Sequence, residues 1–281
     1  LIERLEQHRE TYAQTITREM GKPIRQARSE LDKSIWVCRY YADNAASFLL
    51  DQHRDLDTTR DSYVRFAPVG VLYVIMPWNF PFWQLFRFAA PALMAGNTLL
   101  FKHAPNVPES ARHIAGLFHE AGFPEGAFQN LFIDYKQSDQ LIAHPAVQGV
   151  TLTGSKGAGS QVAQQAGAHV KKSVLELGGS DPYIVLPDAD VAQAAETAAL
   201  ARLQNTGQSC IASKRFIVTQ PVADDFIDRF QQAFRDFQTG HPADETTSLG
   251  PLARQDIREA LDGQVQQAIA DGAKLVTGGK P

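Results

Sequence analysis

The sequence has few cysteines, no excess of one charge and no long apolar run. Only Cys38 and Cys210 are cysteines among its 281 residues, too few for a disulfide framework, so a reducing, cytoplasmic setting is the simplest interpretation. The formal net charge of −4 predicts no binding to nucleic acid or to an acidic membrane surface. No apolar stretch is long enough to span a bilayer, and the first residues contain no secretory hydrophobic region.

A metal-ligand pattern is also missing. The eight histidines form no HExxH or comparable set, so no metal site is predicted. His103, His113 and His119 are interpreted as satisfied surface or interface residues. The chain begins without methionine inside a helical pattern and stops after an apparent strand, so we expect it to be part of a longer protein.

What the sequence does contain is an alternation of strands and helices. Residues 1–50 have helical periodicity, interrupted by "GKP" at Gly21. From Val71 onward, short β-branched runs alternate with amphipathic segments, which predicts parallel βαβ units. Helices are predicted from Pro108 to a stop at Gly122, over 191–203 and over 222–237, and a last strand over 273–279. Glycines and a proline at 176–182 indicate a domain boundary.

The stretch "NTGQSC" ends in the first candidate for chemistry, Cys210. A reactive thiolate needs an accessible position near positive charge or backbone N–H dipoles, and Gly207 allows the backbone to approach closely. The alternative is that Cys210 is a small buried hydrophobic residue, which is the commoner role of a lone cysteine.

Three further stretches contain candidates. Glu176 in "VLELGG" is a carboxylate near the end of a strand, where α/β sheets build their sites, and partial burial there would raise its pKa and suit it to general-base work. Asn79 in "MPWNFPFW" has an amide that can donate to an oxyanion, or it belongs to a rigid turn. The junction "TGSKGAG" at 153–159 can direct N–H groups at a phosphate, although it lacks the GxGxxG pattern.

Taken together and in this order, these stretches resemble the aldehyde dehydrogenase superfamily over essentially the whole chain. The signatures are "PWNFP", "TGS" after a strand, "LELGG" and "NTGQSC". Within the superfamily, "FKHAPNVPES" and "LELGGSDPYIVLPDAD" look most like the succinate-semialdehyde dehydrogenases of bacteria.

The resemblance implies an α/β fold of two domains and a homodimer or homotetramer. Residues 1–178 would form a Rossmann-type NAD(P)-binding domain, with about 50–68 as an oligomerisation excursion. Residues 179–281 would form part of an α/β catalytic domain, because a family segment that grips the nicotinamide ribose and the C-terminal oligomerisation strand are not in this sequence.

The resemblance also implies a mechanism. Cys210 would be the nucleophile that attacks an aldehyde and forms a thiohemiacetal, whose oxyanion the Asn79 amide and the Cys210 backbone N–H would hold. Glu176 would activate the water that hydrolyses the resulting thioester to a carboxylic acid.

For the cofactor, NAD or NADP, the resemblance assigns four residues: Trp78 and Gly154 along its path, Lys102 at the adenosine ribose and Ser155 at the pyrophosphate. Strongly NAD-preferring members often carry a glutamate where this sequence has Pro105. We therefore expect NADP to be accepted, and Lys102 and His103 would favour it.

The substrate is indicated by Arg87, which follows Asn79 by eight residues. A helix that begins just after Pro81 would bring this arginine to the mouth of the site, and its planar fork suits a carboxylate. An arginine at this offset is associated with the substrate carboxylate in succinate-semialdehyde dehydrogenases, although a second arginine of some members is Gln204 here. The alternative for Arg87 is an ion-pair role at the surface or between subunits. The alternatives for the function are a dehydrogenase of another aliphatic or betaine-type aldehyde and a non-catalytic structural protein on this fold.

Overall fold

The computed structural model describes residues 1–57 and 60–280, which form two compact units. The first unit contains Leu1–Thr15 and Arg28–Leu177, and the second contains Ile16–Ala27 and Gly178–Pro281. A short N-terminal segment therefore belongs to the same unit as the last third of the chain.

The N-terminal region is helical, as the periodicity predicts. It contains α1 (Ile2–Gln7), α2 (Arg9–Met20) and α3 (Ile24–Phe48). The chain breaks between α2 and α3 because Gly21 adopts φ +75°, a left-handed conformation that glycine reaches at little cost, and because Pro23 follows it. After α3, the strands β1 (Gln52–Asp57) and β2 (Arg60–Val64) pair antiparallel within the predicted excursion, of which residues 58 and 59 lie outside the described part.

The first unit is built on a parallel sheet with the strand order β5-β4-β3-β6-β7. The strands are β3 (Val71–Ile75), β4 (Thr98–Lys102), β5 (Phe128–Asn130), β6 (Val147–Gly154) and β7 (Lys172–Leu177). The helices between them are α4 (Trp83–Met94), α5 (Pro108–Glu120), α6 (Tyr135–Ala143) and α7 (Lys156–Ala168). This arrangement confirms the predicted parallel βαβ units, and α5 starts at the predicted proline.

The core of this sheet accounts for the apolar residues of its central strands. Tyr73, Val150 and Leu152 are buried and pack with Val162 and Ala166 of α7. Burying a large aliphatic side chain stabilises the fold by about 1.5–3 kcal/mol, so these strands are held mainly by their side chains. The Tyr73 hydroxyl is satisfied by Ser138 Oγ at 2.6 Å.

The second unit has a smaller parallel pair, β8 (Pro182–Val185) and β9 (Arg215–Val218). Its helices are α8 (Val191–Leu203), α9 (Ala223–Arg235) and α10 (Gln255–Ala270). Val185, Ala195, Ala198 and Phe226 are buried together. The prediction for α8 is confirmed with its bounds, and that for α9 is confirmed with slightly shorter ends.

The predicted strand over 273–279 is wrong: the described residues of this stretch contain no strand. Leu275 and Val276 remain half-exposed. A strand needs a neighbour for its backbone hydrogen bonds, and the residues described here place none beside this stretch.

Throughout the described part of the chain, no helix combines the length and hydropathy needed to cross a membrane.

The packing of α7 on β7 depends on Gly159. A Cβ at this position would lie 2.6 Å from Leu177 Cδ2, whereas one at Gly157 would meet nothing within 4 Å. We expect Gly159→Ala to lower the free energy of unfolding by about 1–3 kcal/mol through overpacking. Gly157→Ala, the matched control, should be neutral or stabilise by up to about 1 kcal/mol through helix propensity. Thermal unfolding of both variants tests this, and equal stability would contradict the close approach.

Candidate active site

Six of the predicted site residues lie at the carboxyl edge of the parallel sheet in the first unit. Trp78 and Asn79 follow β3, and Lys102 is the last residue of β4. The other three are Gly154 at the end of β6, Ser155 after it, and Glu176 near the end of β7. Carboxyl ends of parallel strands meet at one edge, and this sheet reverses its winding at β3, where α/β proteins form their binding crevice.

Arg87 of α4 reaches this same edge. Its Nη2 lies 3.6 Å from Glu176 Oε2 and 3.4 Å from Thr153 Oγ1. Glu176 has a side chain that is 58% exposed, and that of Arg87 is 30% exposed. The partial burial considered for Glu176 is thus not seen among the described residues. The charged group next to its carboxylate is the Arg87 guanidinium. Thr153, which is buried, was not singled out as a contact of Arg87.

The position of α4 is set by a carboxylate from α3. Glu30 Oε1 accepts hydrogen bonds from the backbone N–H groups of Phe82 at 2.9 Å and Trp83 at 3.1 Å. The N-cap residue of α4 provides no side-chain cap of its own. A negative group at this end satisfies the free N–H groups and complements the helix dipole. Glu30 therefore helps to place Arg87 at the sheet edge.

Lys102 is a buried cation with unused hydrogen-bond donors. The residue is 8% exposed, and burial lowers its pKa. Its Nζ is 3.5 Å from the His103 carbonyl and 5.5 Å from the Tyr135 ring centroid, and none of the described carboxylates forms an ion pair with it. Because an ammonium has three donors, Lys102 retains the capacity to bind hydroxyl or phosphate oxygens.

His103 is buried, so its interpretation as a surface or interface residue is wrong. Burial lowers the pKa of His103 to about 4. The Ala104 backbone N–H donates to Nδ1 at 3.0 Å, which leaves Nε2–H to donate to the Pro81 carbonyl at 3.2 Å. His103 is thus neutral near pH 7, so of the two residues expected to favour NADP only Lys102 offers a positive charge.

The start of α7 has the geometry of an anion-binding turn. Ser155 is exposed and is the N-cap, where its Oγ accepts from the Ala158 N–H at 3.2 Å. The first N–H groups of a helix lack partners within the helix and carry a partial positive charge. A phosphate group at the end of β6 would meet these N–H groups.

In the second unit, Cys210 follows a short left-handed segment. Asn205 and Thr206 have φ values of 53° and 55°, and Gly207 has 74°. Such a conformation costs a residue other than glycine about 1–2 kcal/mol. Two bonds hold it: the Asn205 N–H donates to Gln26 Oε1 at 2.7 Å, and Thr206 Oγ1 donates to the Gly250 carbonyl at 3.2 Å. Backbone strain of this kind clusters at functional sites.

The two cysteines have different surroundings. Cys210 is partly exposed, whereas Cys38 is 7% exposed. Burial raises the pKa of Cys38 to about 12, so Cys38 is a packing residue. Among the described residues, no group of three or more His, Cys, Asp or Glu side chains could hold a metal ion.

A parallel sheet whose winding reverses at β3, with a helix between each pair of successive strands, defines an α/β protein whose ligand crevice is expected at the carboxyl edge of the sheet. The model of the aldehyde dehydrogenase family matches residues 1–281. The chain belongs to this family.

Curated relatives and a solved structure agree with this assignment. A Synechocystis sp. protein named probable succinate-semialdehyde dehydrogenase, NADP(+), is 52% identical over 276 residues, which cover 98% of this chain and 61% of that protein. The Escherichia coli (strain K12) protein Sad, named succinate semialdehyde dehydrogenase, NAD(P)+, is 46% identical over 271 residues, 96% of this chain and 58% of that protein. The crystal structure of succinic semialdehyde dehydrogenase from Streptococcus pyogenes with NADP+ aligns with a TM-score of 0.96 and 38% identity, covering 100% of this chain and 61% of that chain.

The thiol environments predict selective alkylation. At pH 8, a thiol with a pKa near 12 is about 1 part in 10,000 thiolate, and the thiolate is the reactive form. We expect iodoacetamide to modify Cys210 in the native protein and Cys38 only after denaturation. Peptide mass spectrometry measures both sites, and equal native modification of Cys38 would contradict its burial.

Proposed function

We propose that the whole protein oxidises succinate semialdehyde to succinate with NAD or NADP. The chain described here spans about 60% of the length of its curated relatives, so the activity is a proposal for the complete protein. The observation that carries the choice of substrate is the placement of Arg87 beside Glu176 at the carboxyl edge of the sheet. The names of the relatives given above support the same reaction.

In the proposed reaction, the Cys210 thiolate attacks the aldehyde carbon and forms a thiohemiacetal. The Asn79 amide and the Cys210 backbone N–H stabilise the oxyanion. Loss of hydride leaves a thioester on Cys210, and Glu176 removes a proton from the water that hydrolyses it. The exposed position of Glu176 supports the last step, because water reaches its carboxylate.

The described residues fit a nicotinamide dinucleotide, which when bound supplies the hydride acceptor. Lys102 would hold ribose hydroxyls with its unused donors, and Ser155 with the first N–H groups of α7 would hold the pyrophosphate. Trp78 and Gly154 would line its path. Pro105 is exposed after β4 and places no carboxylate against a 2′-phosphate, which supports the use of NADP.

The two units would have separate tasks. The first would be the cofactor-binding domain and the second the catalytic domain, as far as the chain contains it. We further propose a cytoplasmic homodimer or homotetramer in which the β1–β2 hairpin takes part in the subunit contact. Exposed apolar side chains on and beside this hairpin support that assignment: Leu50, Tyr63, Val64 and Phe66.

The roles of Cys210 and Glu176 are tested by two substitutions in the full-length protein. Cys210→Ala should abolish aldehyde oxidation, because the other thiol of this chain is buried. Glu176→Gln should slow turnover while a burst of reduced nicotinamide persists, because only hydrolysis of the thioester is impaired. Stopped-flow absorbance measures both. Substantial turnover by Cys210→Ala would contradict the role of Cys210 as the nucleophile. A wild-type protein without turnover on any aldehyde would favour the alternative of a non-catalytic structural protein.

The role of Arg87 is tested by comparing succinate semialdehyde with butyraldehyde, a similar chain without the carboxylate. A hydrogen bond to a charged group is worth about 1.5–3 kcal/mol, which corresponds to about 10- to 150-fold in kcat/KM. Arg87→Ala should lose this factor for the semialdehyde and little for butyraldehyde. Arg87→Lys, which keeps the charge without the planar fork, should fall between them.

Because Arg87 also contacts Glu176, the ratio of the two substrates is the decisive quantity. Equal losses on both aldehydes would remove Arg87 from the substrate site. The substrate class would then be open, and an aldehyde of the aliphatic or betaine type would be the alternative.

A further inference from the structure

The ammonium of Lys214 is surrounded by carbonyl groups of the loop that contains Cys210. Lys214 Nζ donates to the carbonyl oxygens of Ala212 at 2.8 Å, Cys210 at 3.2 Å and Ser209 at 3.4 Å. An ammonium has three N–H donors, so the three contacts match its full capacity. Residues 208–214 contain no helix or strand, and the loop therefore relies on contacts of this kind for its shape.

One of these contacts bears on the oxyanion site. The Ser209 carbonyl and the Cys210 N–H belong to the same peptide group. Because a trans peptide is planar, its C=O and N–H point in opposite directions. A lysine that fixes the direction of the Ser209 carbonyl therefore fixes the direction of the Cys210 N–H, which would donate to the oxyanion.

The loop is also electropositive. The Arg202 guanidinium packs against Gly207, where a Cβ would lie 2.7 Å from Nη2. Among the described residues, no carboxylate forms an ion pair with Arg202, and its buried Nη1 has no hydrogen-bond partner. Desolvation and the neighbouring Arg202 lower the pKa of Lys214, while Asp181 and Cys210 raise it. The contact of Lys214 Nζ with the Cys210 carbonyl at 3.2 Å places this positive charge next to Cys210.

We propose that Lys214 is a positioning residue for Cys210, which orients the Ser209–Cys210 peptide and holds a positive charge next to Cys210. The proposal rests on the proposed role of Cys210 as the nucleophile.

Three substitutions in the full-length protein separate the two effects. Lys214→Met removes the donors and the charge, Lys214→Gln keeps N–H donors without the charge, and Lys214→Arg keeps both in another shape. Lys274→Met, an exposed lysine of the same unit, is the matched control. The first readout is the rate of iodoacetamide alkylation of Cys210 against pH, without cofactor or aldehyde. The second is kcat and KM for the aldehyde.

The charge should appear in the alkylation profile. We expect the midpoint to move to higher pH in Lys214→Met and Lys214→Gln, with alkylation at pH 7 slower by about 3- to 10-fold. Lys214→Arg and the control should keep the wild-type midpoint. The orientation of the peptide should appear in kcat rather than KM, because the oxyanion forms only in the transition state. We expect kcat to fall by about 10-fold or more in Lys214→Met, and less in Lys214→Gln.

Wild-type midpoints in both Lys214→Met and Lys214→Gln would overturn the proposal. If Lys214→Met does not fold, Lys214→Gln and Lys214→Arg decide by the same criterion. Alkylation does not depend on turnover, so it tests Lys214 separately from the proposed function. If the proposed function failed, Cys210→Ala would remain active, and the alkylation profiles would still report the effect of Lys214 on Cys210.

Discussion

The pairing of β3 with both β4 and β6 is the constraint on which the candidate site depends. In register, Ile75 lies between Lys102 of β4 and Leu152 of β6, and Thr153 lies beside Glu176 of β7. Because these strands are parallel, the segments that follow them all lie at the carboxyl edge of the sheet. Since the winding of the chain reverses at β3, no crossover helix fills the crevice there. The sheet thereby collects side chains that are distant in sequence.

Contacts from other elements then fix the positions of the candidate site residues. The Glu30 carboxylate caps α4 and places Arg87, and the missing side chain of Gly159 lets α7 approach β7. In the second unit, Gln26 holds the left-handed segment before Cys210 through the Asn205 N–H. In each case a residue without proposed chemistry helps to place one that has it. Glu30 does so through two hydrogen bonds at a helix end, Gly159 through a close approach, and Gln26 through a hydrogen bond to a strained turn.

The sequence predicts the parts of the fold that depend on local pattern. The β-branched run at Val71 predicts a buried strand, and the helix predicted over 191–203 is α8 with its observed bounds. The site motifs are recognisable because strand ends and glycine turns are local too. The strand expected over 273–279 was wrong because a short apolar segment suggests a strand without showing a partner for it.

Long-range effects are the part that sequence reasoning missed. The cap from Glu30 joins residues 52 positions apart, and the contact of Arg87 with Thr153 joins residues 66 apart. The burial of His103 follows from the loop that ends at Pro81, which no pattern around the histidine reveals. Helices α6 and α10 were missed as well, although the capping box of Asp134 and Gln137 at the start of α6 is visible in the sequence.

Each of the two units contains a cation whose pKa is lowered by burial. Burial lowers the pKa of Lys102 in the first unit and of Arg202 in the second, and within the described ranges neither forms an ion pair with a carboxylate. Removing a cation from water without pairing it is costly, and such a group gains most when an anion or a dipole arrives. Both cations therefore lower the stability of the free chain and increase the stabilisation that an anion or a dipole gains beside them. For Lys102, that trade agrees with the proposed binding of an anionic dinucleotide.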